Sequence, residues 1–187
     1  MACWHGVTRI VLPRLTDGVV TLRPWRTADA DALVIACQDP EVPRWTAVPS
    51  PYRRPDALRF LAVALALAER GSMAALAAVD GGGRLLGSFS VMEIDRERAT
   101  GEVGCWLARG ARGRGIATRA LGLLCAWTRR ELGLATLELL AHRDNQPSIR
   151  VAMRAGFAPT GELRSIAKDV PSGRAYRVFA SRTPSAA

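Results

Sequence analysis

A glycine-rich stretch that opens a helix constrains this chain more than any other segment. Three glycines, Gly110, Gly113 and Gly115, fall within residues 109–115, and a run without helix breakers follows them. The preceding residues, 101–108, have the pattern of a β-strand. Glycine lets the backbone approach an anion closely. The first N–H groups of a helix and the positive end of its dipole then point at that anion. The stretch therefore predicts a diphosphate-binding turn between a strand and a helix.

Composition favours one folded domain over residues 1–187, with a lead-in over 1–18 and a core over about 19–181. Of the 187 residues, 49% are hydrophobic, which is enough for a buried core. The formal net charge is +9, and Lys168 is the only lysine among 26 basic residues. Because like charges form no long block, the surplus indicates an evenly basic surface, and we do not expect a nucleic-acid partner.

The cysteine and histidine pattern gives no sign of a metal site. The four cysteines are Cys3, Cys37, Cys105 and Cys125. They lack Cys-x-x-Cys spacing and only two histidines accompany them, so we expect no metal and a reduced, cytoplasmic protein. The longest strongly apolar run, residues 60–68, is shorter than the about 20 residues that a membrane span needs. We therefore expect no membrane partner.

Hydrophobic periodicity and turn signals predict a sequence of strands and helices. The predicted strands are 19–23, 72–79, 84–94, 101–108 and 134–141, and the predicted helices are 28–38, 55–70, 115–132 and 145–156. Residues 162–168 and 174–181 are predicted to form a closing hairpin around residues 171–173. The four prolines within residues 39–51 exclude regular structure there and predict a long loop.

Two separated motifs point to the same family. Residues 112–117 match the pattern Arg/Gln-x-x-Gly-x-Gly/Ala, which resembles the coenzyme A pyrophosphate loop of the GNAT N-acetyltransferases. The wider stretch 102–118 resembles the branch that acetylates ribosomal-protein N-termini, the RimJ/RimL-like enzymes. A second segment, in which Asn145 and Ser148 precede Gly156-Phe157, also resembles the family. Two such segments in the right order are much harder to obtain by chance than either alone.

The resemblance runs from about Val19 to about Ser181 and implies the GNAT fold, of the α/β (α+β) class. That fold has a mixed, mostly antiparallel sheet of six or seven strands, flanked by about four helices. The sheet splays between its fourth and fifth strands, which here are residues 101–108 and 134–141.

The resemblance also implies acetyl-CoA as the cosubstrate. The residues expected to contact it are Trp106, Leu107, Arg112, Gly113, Arg114, Gly115, Ile116, Ala117, Thr118, Asn145 and Ser148. Pantetheine would enter the split beside Trp106 and Leu107, and the diphosphate would lie on the N–H groups of residues 112–118. The side chains of Arg112 and Arg114 would add charge-assisted contacts to the phosphates.

The implied reaction is direct transfer of an acetyl group to the primary amine of a protein N-terminus or a small molecule. An ammonium acceptor must lose a proton, which calls for a general base. Glu102 is the candidate base, directly or through water, and the alternative is a solvated, outward-facing side chain. Asn145 and Ser148 would lie near the sulfur, with Ser148 facing the departing thiolate, although Asn145 also suits a helix cap. Trp45 and Tyr52 either face the amine or anchor their loop.

The chain departs from the pattern of the branch around the catalytic residues. Thr160-Gly161 stands where the branch often has Glu-Gly, and Cys105 stands where it commonly has tyrosine. No tyrosine closely follows Asn145. The cofactor site is therefore better defined by the sequence than the catalytic groups are.

Two other classes of function stay open at this point. A nicotinamide-dependent oxidoreductase would use Gly113-x-Gly115 and Glu138, but Thr118 replaces its third glycine and no repeating β-α-β order is seen. A non-catalytic acyl-CoA sensor, or a basic RNA- or ribosome-binding domain, would not need the missing carboxylate. The sequence leaves the acceptor and a possible homodimer undefined, although the +9 charge disfavours a polycationic acceptor.

Overall fold

The computed structural model describes residues 9–165 and 176–182, which form one eight-stranded sheet with helices packed against it. The strands are β1 Leu15–Thr16, β2 Thr21–Pro24, β3 Ala74–Val79, β4 Leu85–Asp95, β5 Thr100–Leu107, β6 Thr136–His142, β7 Ala158–Arg164 and β8 Tyr176–Arg182. The helices are α1 Ala30–Cys37, α2 Glu41–Trp45, α3 Arg54–Glu69, α4 Ile116–Leu132 and α5 Gln146–Arg154. Two short 3-10 turns, Thr27–Asp29 and Arg109–Ala111, precede α1 and α4.

The sheet has the order β1-β2-β3-β4-β5-β6-β8-β7, and the described strands contain a single parallel pair, β5 with β6. That pair is joined only from Thr100 to Val103 on β5, opposite Thr136 to Leu139 on β6. Beyond these residues β5 continues to Leu107 along β4, while β6 continues along β8. The two strands therefore separate at their carboxyl ends, which confirms the predicted split.

Gly87 on β4 lets the separating strand stay close to its other neighbour. A Cβ at position 87 would collide with the Trp106 carbonyl oxygen. The close approach continues past the strand, because the N–H of Ala108 donates to the Leu86 carbonyl at 2.8 Å. Among the described strands, only β4 pairs with the end of β5, and the other edge of this segment faces the split.

The structure adds one strand and one helix to the predicted architecture. The added strand, β1, lies in the segment predicted as a lead-in, and the nearby Ile10 is buried and donates its N–H to Ala68. The added helix, α2, lies in the predicted loop, so the exclusion of regular structure there was wrong. The prolines fit because Pro40 precedes α2 and Pro43 lies in its first turn, where N–H groups have no helical partner.

The largest core cluster packs α4 against one face of the sheet. Ile116, Ala120, Leu124 and Trp127 are buried in it, as their helical spacing predicts. A smaller cluster packs α1 against α3, and Trp106 of β5 packs against this cluster. Among the described residues, none of the helices combines the length and apolar character that a membrane span needs.

The antiparallel pairing of the two closing strands, β7 with β8, is confirmed, although β7 begins at Ala158 rather than at Glu162. The remaining parts of the predicted hairpin, residues 166–168 and 174–175 and the turn at 171–173, lie outside the described residues.

Candidate active site

The turn before α4 is shaped to receive an anion. Gly113 and Gly115 have φ values of +73° and +75°, a region that residues with a Cβ rarely adopt. Among the described residues, no protein acceptor is found for the N–H groups from Gly113 to Thr118. Successive N–H groups in alternating left- and right-handed conformations form a concave anion site. The sequence predicts a row of free N–H groups over residues 112–118. The row begins one residue later, at Gly113, because the N–H of Arg112 donates to the Arg109 carbonyl at 3.3 Å.

The start of α4 is also electrostatically prepared for a negative charge. Its first turn contains no acidic residue, and Gly115 at the N-cap position makes no side-chain cap. Most helices use an acid or a capping side chain at this end to offset the dipole. Here Gly113, Gly115 and the first residues of α4 line a cleft, and nothing lies within 4 Å of a Cβ built at Gly113 or Gly115.

A cleft of about 320 Å3 runs from this turn into the split. We call it the cofactor cleft. It is lined by the end of β5, the turn and first residues of α4, the end of β6, α5 and α2. The predicted cofactor residues among its lining are Trp106, Leu107, Arg112, Gly113, Gly115, Ile116, Ala117, Thr118, Asn145 and Ser148. Arg114 is not among them, and its guanidinium lies 3.4 Å from the Gly110 carbonyl oxygen.

The side chain of Arg112 is engaged within the protein. Its Nε and Nη2 donate to the Leu107 carbonyl at 3.1 and 2.9 Å. Its Nη2 also lies 2.7 Å from a carboxylate oxygen of Asp39, which makes no aligned hydrogen bond there, so this contact is an ion pair. Asp39 lies just before α2, which lines the cofactor cleft. Arg112 therefore links the end of β5 to the start of α2.

Asn145 and Ser148 lie together at the start of α5. The Asn145 side-chain oxygen accepts the N–H of Ser148 at 3.2 Å, which confirms the predicted helix cap. Both residues line the cofactor cleft, so the cap and a contact with the cofactor are compatible.

His142 also lines the cofactor cleft, although no sequence motif indicates a role for it. Its ring lies 5.2 Å from the Trp45 ring and 5.5 Å from the Tyr176 ring. The N–H of Asp144 donates to His142 Nδ1 at 3.2 Å, so a neutral ring carries its proton on Nε2. The sequence feature that could indicate a role for His142 is its position at the carboxyl end of β6, the strand that separates from β5. Ligands of open sheets bind beyond such strand ends.

A second cleft of about 640 Å3 opens between α3 and the sheet. We call it the acceptor cleft. It is lined by Thr46, Ala47, Val48, Pro49, Tyr52, Asp56, Arg59, Phe60, Val63, Ser88, Ser90, Met92, Gly104, Cys105 and Trp106. Thr46, Cys105 and Trp106 also line the cofactor cleft, so the two clefts meet at the end of β5.

Trp45, within residues 39–51, and Tyr52, which directly follows them, line different clefts. Trp45 lines the cofactor cleft, and its Nε1–H donates to the Glu41 carboxylate at 2.9 Å, which lowers the pKa of Glu41. Tyr52 lines the acceptor cleft but is buried, and burial raises its pKa to about 12. Each side chain therefore both anchors its segment and forms a wall.

Glu102 is half-buried rather than solvated. Burial raises the pKa of its carboxyl, and the like charges of Glu93 and Glu138 act in the same direction while Arg164 opposes them. Among the described residues that line the two clefts, Glu102 does not appear. It lies two residues before Gly104 on the same face of β5. A water molecule would be needed to connect its carboxylate with an amine in the acceptor cleft.

The cysteine at the junction of the clefts is a poor nucleophile. Burial raises the pKa of the Cys105 thiol to about 12, so the thiol stays protonated at neutral pH. The raised pKa therefore disfavours a thiolate nucleophile at this position. No group of three His, Cys, Asp or Glu side chains placed to hold a metal ion occurs within residues 9–165 and 176–182.

The splayed sheet and the glycine turn at its open end are features that the resemblance to the GNAT acetyltransferases implies. Residues 20–158 match the family described as "Acetyltransferase (GNAT) domain". The chain therefore belongs to the GNAT acetyltransferase family, as its two motifs predict.

The Bacillus subtilis (strain 168) protein YdaF, provisionally named as a ribosomal N-acetyltransferase, is 33% identical over 82 residues. This match spans 44% of the present chain and 45% of YdaF, so the chain matches less than half the length of this relative.

Solved structures share the fold over nearly the whole chain. RimL, a ribosomal L7/L12 alpha-N-protein acetyltransferase, superposes with a TM-score of 0.80 at 16% identity, over 95% of this chain and 100% of that one. Mycobacterium smegmatis RimJ, in complex with CoA-disulfide, gives 0.77 at 21%, over 92% and 87%. The microcin C7 self-immunity acetyltransferase MccE, in complex with acetyl-CoA and AMP, gives 0.79 at 19%, over 90% and 94%. At these identities the similarity shows the fold.

Proposed function

We propose that this protein transfers the acetyl group of acetyl-CoA to a primary amine, on a protein N-terminus or a small molecule. The observation that carries the proposal is the row of N–H groups from Gly113 to Thr118 at the mouth of the split. A diphosphate would satisfy these donors and the positive end of α4 together.

The separated edge of β5 supports the placement of the rest of the cofactor. Residues 104–107 pair with β4 but not with β6, so one edge of this segment is open to an extended ligand. Pantetheine lying there would bring the thioester to Cys105 and Trp106, where the two clefts meet. Backbone N–H groups at this edge would stabilise the oxyanion that forms on the thioester carbonyl.

In the proposed reaction the amine nitrogen attacks the thioester carbon, the carbon–sulfur bond breaks, and the sulfur leaves as a thiolate. Holding both reactants in one groove is worth at best roughly 7–11 kcal/mol of the barrier. The amine proton passes through water to the Glu102 carboxylate. The Ser148 hydroxyl donates a hydrogen bond toward the thiolate.

A cytoplasmic location and a homodimer stay predictions.

The names of the relatives support two kinds of acceptor. RimL is named for ribosomal L7/L12, which favours a protein N-terminus, whereas MccE was solved with AMP, which favours a small molecule. Among these, we place the ribosomal-protein N-terminus first because the YdaF name also refers to the ribosome.

Thermal unfolding in the presence of acetyl-CoA tests the proposal. A ligand that binds only the folded protein stabilises it by about 2.7 kcal/mol at one hundred times its Kd. We expect acetyl-CoA to raise Tm and NADH to leave it unchanged, and thiol release should follow when an amine is added. An unchanged Tm at saturating acetyl-CoA would refute the proposal, and a shift with NADH would favour an oxidoreductase.

A non-catalytic acyl-CoA sensor is the second candidate. It is favoured by the position of Glu102 outside the lining of both clefts. Acetyl-CoA would then raise Tm, but no amine, including short peptides, would release the thiol.

A further inference from the structure

The acceptor cleft has a chemical character that the family motifs do not specify. Its walls are largely aliphatic and aromatic, with Val48 and Pro49 on one side, Phe60 and Val63 on α3, and Met92 and Trp106 on the sheet. Ligand clefts of this kind gain most of their affinity from apolar contact, and a few polar groups orient the ligand.

Three polar side chains of this cleft, Asp56, Arg59 and Ser90, are engaged within the protein. The Asp56 carboxylate accepts the N–H of Arg53 at 2.9 Å and pairs with the Arg59 guanidinium. The Ser90 hydroxyl lies 3.4 Å from the Gly104 carbonyl oxygen, to which it donates. The carboxylate of the cleft is thus neutralised by an arginine, and the +9 charge of the chain adds to the repulsion of a second cation.

The acceptor cleft is continuous with the place where the thioester is expected. Thr46, Cys105 and Trp106 border both clefts. An amine at this junction would extend its substituent between α3 and β4, against Phe60, Val63 and Met92. The substituent, rather than the amine, would therefore meet the apolar walls.

We propose that the acceptor is a primary amine with a bulky apolar substituent, and that polyamines and aminoglycosides are poor acceptors. This inference rests on the proposed acetyl transfer. The same chemistry occurs in a peptide with an apolar first side chain and in an arylalkylamine. Desolvating a leucine- or phenylalanine-sized group favours its binding, and differences of this size change selectivity about ten- to hundredfold.

Thiol release from acetyl-CoA with a matched panel of amines tests the inference. The panel contains tripeptides that begin with Leu, Phe, Gly or Ser, together with phenethylamine, ethanolamine and spermidine. We expect kcat/KM for the Leu and Phe peptides to exceed that for the Gly and Ser peptides about ten- to hundredfold. If phenethylamine outperforms the peptides, the source is a small molecule. Equal rates across the panel, faster turnover of spermidine, or no turnover of the apolar amines overturns the inference.

A pair of variants on α3 assigns the preference to the cleft. Val63, 48% exposed, lines the acceptor cleft, and Leu65, 54% exposed on the same helix, does not. Val63→Asp should reduce kcat/KM for the apolar amines about tenfold and improve spermidine, while Leu65→Asp should leave the ratio between amines unchanged. A similar change in both variants, or no change in Val63→Asp, overturns the inference.

The acetyl-CoA-dependent rise in Tm, measured on the same proteins, separates the two proposals. If the rise is present and the panel shows no apolar preference, only the inference about the acceptor fails. If the rise is absent, the proposed acetyl transfer itself fails.

Discussion

The two clefts that meet at Trp106 are built in different ways. The part of the cofactor cleft that we propose to bind the diphosphate comes from one continuous segment, residues 113–118, and presents main-chain N–H groups. The acceptor cleft takes side chains from the segment after α2, from α3, from β4 and from β5. A main-chain site requires only a few glycines and a helix start, whereas a side-chain site depends on how distant segments pack. The first therefore tolerates sequence change around it, and the second can change its ligand through single substitutions.

The largest effect is expected where the main-chain site depends on a glycine. Gly115→Val places a branched side chain at φ +75° and at the mouth of the cleft. The left-handed conformation alone costs about 1–2 kcal/mol, and the side chain also occupies the space of the phosphates. We expect the acetyl-CoA-dependent rise in Tm to disappear.

Gly110→Ala is the matched control for this change. Gly110 is in the same loop, its φ is not positive, and nothing lies within 4 Å of an added Cβ. It should retain the rise in Tm. Equal losses in both variants would show that general disruption of the loop, rather than the N–H site, causes the effect.

The next effect concerns a side chain beside the acceptor cleft. Burial raises the pKa of Glu102, so the carboxylate accepts a proton only above that raised pKa, and kcat falls as the pH drops through it. Glu102→Gln should lower kcat about a hundredfold and remove this acidic limb, with the Kd for acetyl-CoA unchanged. The pH dependence of thiol release measures both.

Glu138→Gln provides the comparison for Glu102→Gln, because Glu138 lies opposite Glu102 on β6 and pairs with Arg164 at 2.8 Å. It should keep the acidic limb. A limb that persists in Glu102→Gln would remove Glu102 from the reaction.

A smaller effect is expected at the link between the two clefts. Asp39→Asn removes the charge that pairs with Arg112, at a carboxylate side chain that is only 12% exposed. Because Arg112 holds the Leu107 carbonyl, at the end of the strand that both clefts share, KM should rise several-fold for acetyl-CoA and for the amine together. Initial-rate kinetics with each substrate varied measure the two KM values.

Asp31→Asn is the corresponding surface control. Asp31 pairs with Arg54 through side chains that are 75% and 56% exposed, and exposed pairs contribute about 1 kcal/mol or less. This variant should leave both KM values unchanged. A rise in only one KM in Asp39→Asn would mean that the ion pair does not couple the clefts.

The smallest effect is expected at an ion pair outside both clefts. Hydrogen bonds from the Val20 N–H and from Arg119 lower the pKa of Asp17 to about 2. A depressed carboxyl pKa stabilises the fold above the unfolded pKa of 3.8, and this stability is lost as the pH falls through about 2. Asp17→Asn should cost about 1 kcal/mol near neutral pH and nothing below pH 2, as urea unfolding would measure. A cost that persists at low pH would exclude the ionic origin.

The same contrast between main chain and side chain explains what the sequence could predict. The glycine turn and the cap at Asn145 follow from local patterns, the split follows from the family resemblance, and the structure places all three as expected. The sequence does not reveal α2, because prolines usually break a helix. Here they lie at its N-cap and in its first turn, where they are tolerated. The ion pair of Arg112 with Asp39 joins residues far apart in the chain, and no local pattern reports such a contact.

The side chains around the clefts make contacts that the family motifs do not predict. The Arg112 guanidinium contacts Leu107 and Asp39, and its predicted contact with the phosphates stays a prediction. The acceptor cleft consists of residues whose only common feature is their position after folding, such as Phe60 and Met92. Its apolar character could be recognised only once α3 was seen to lie against β4.

Backbone amide NMR during a titration with acetyl-CoA tests the central claim most directly. We expect the resonances of residues 113–118 to shift and saturate with one equivalent of acetyl-CoA, while those of Phe60 and Val63 change little. Unshifted resonances at 113–118 in a titration that saturates elsewhere on the protein would contradict it.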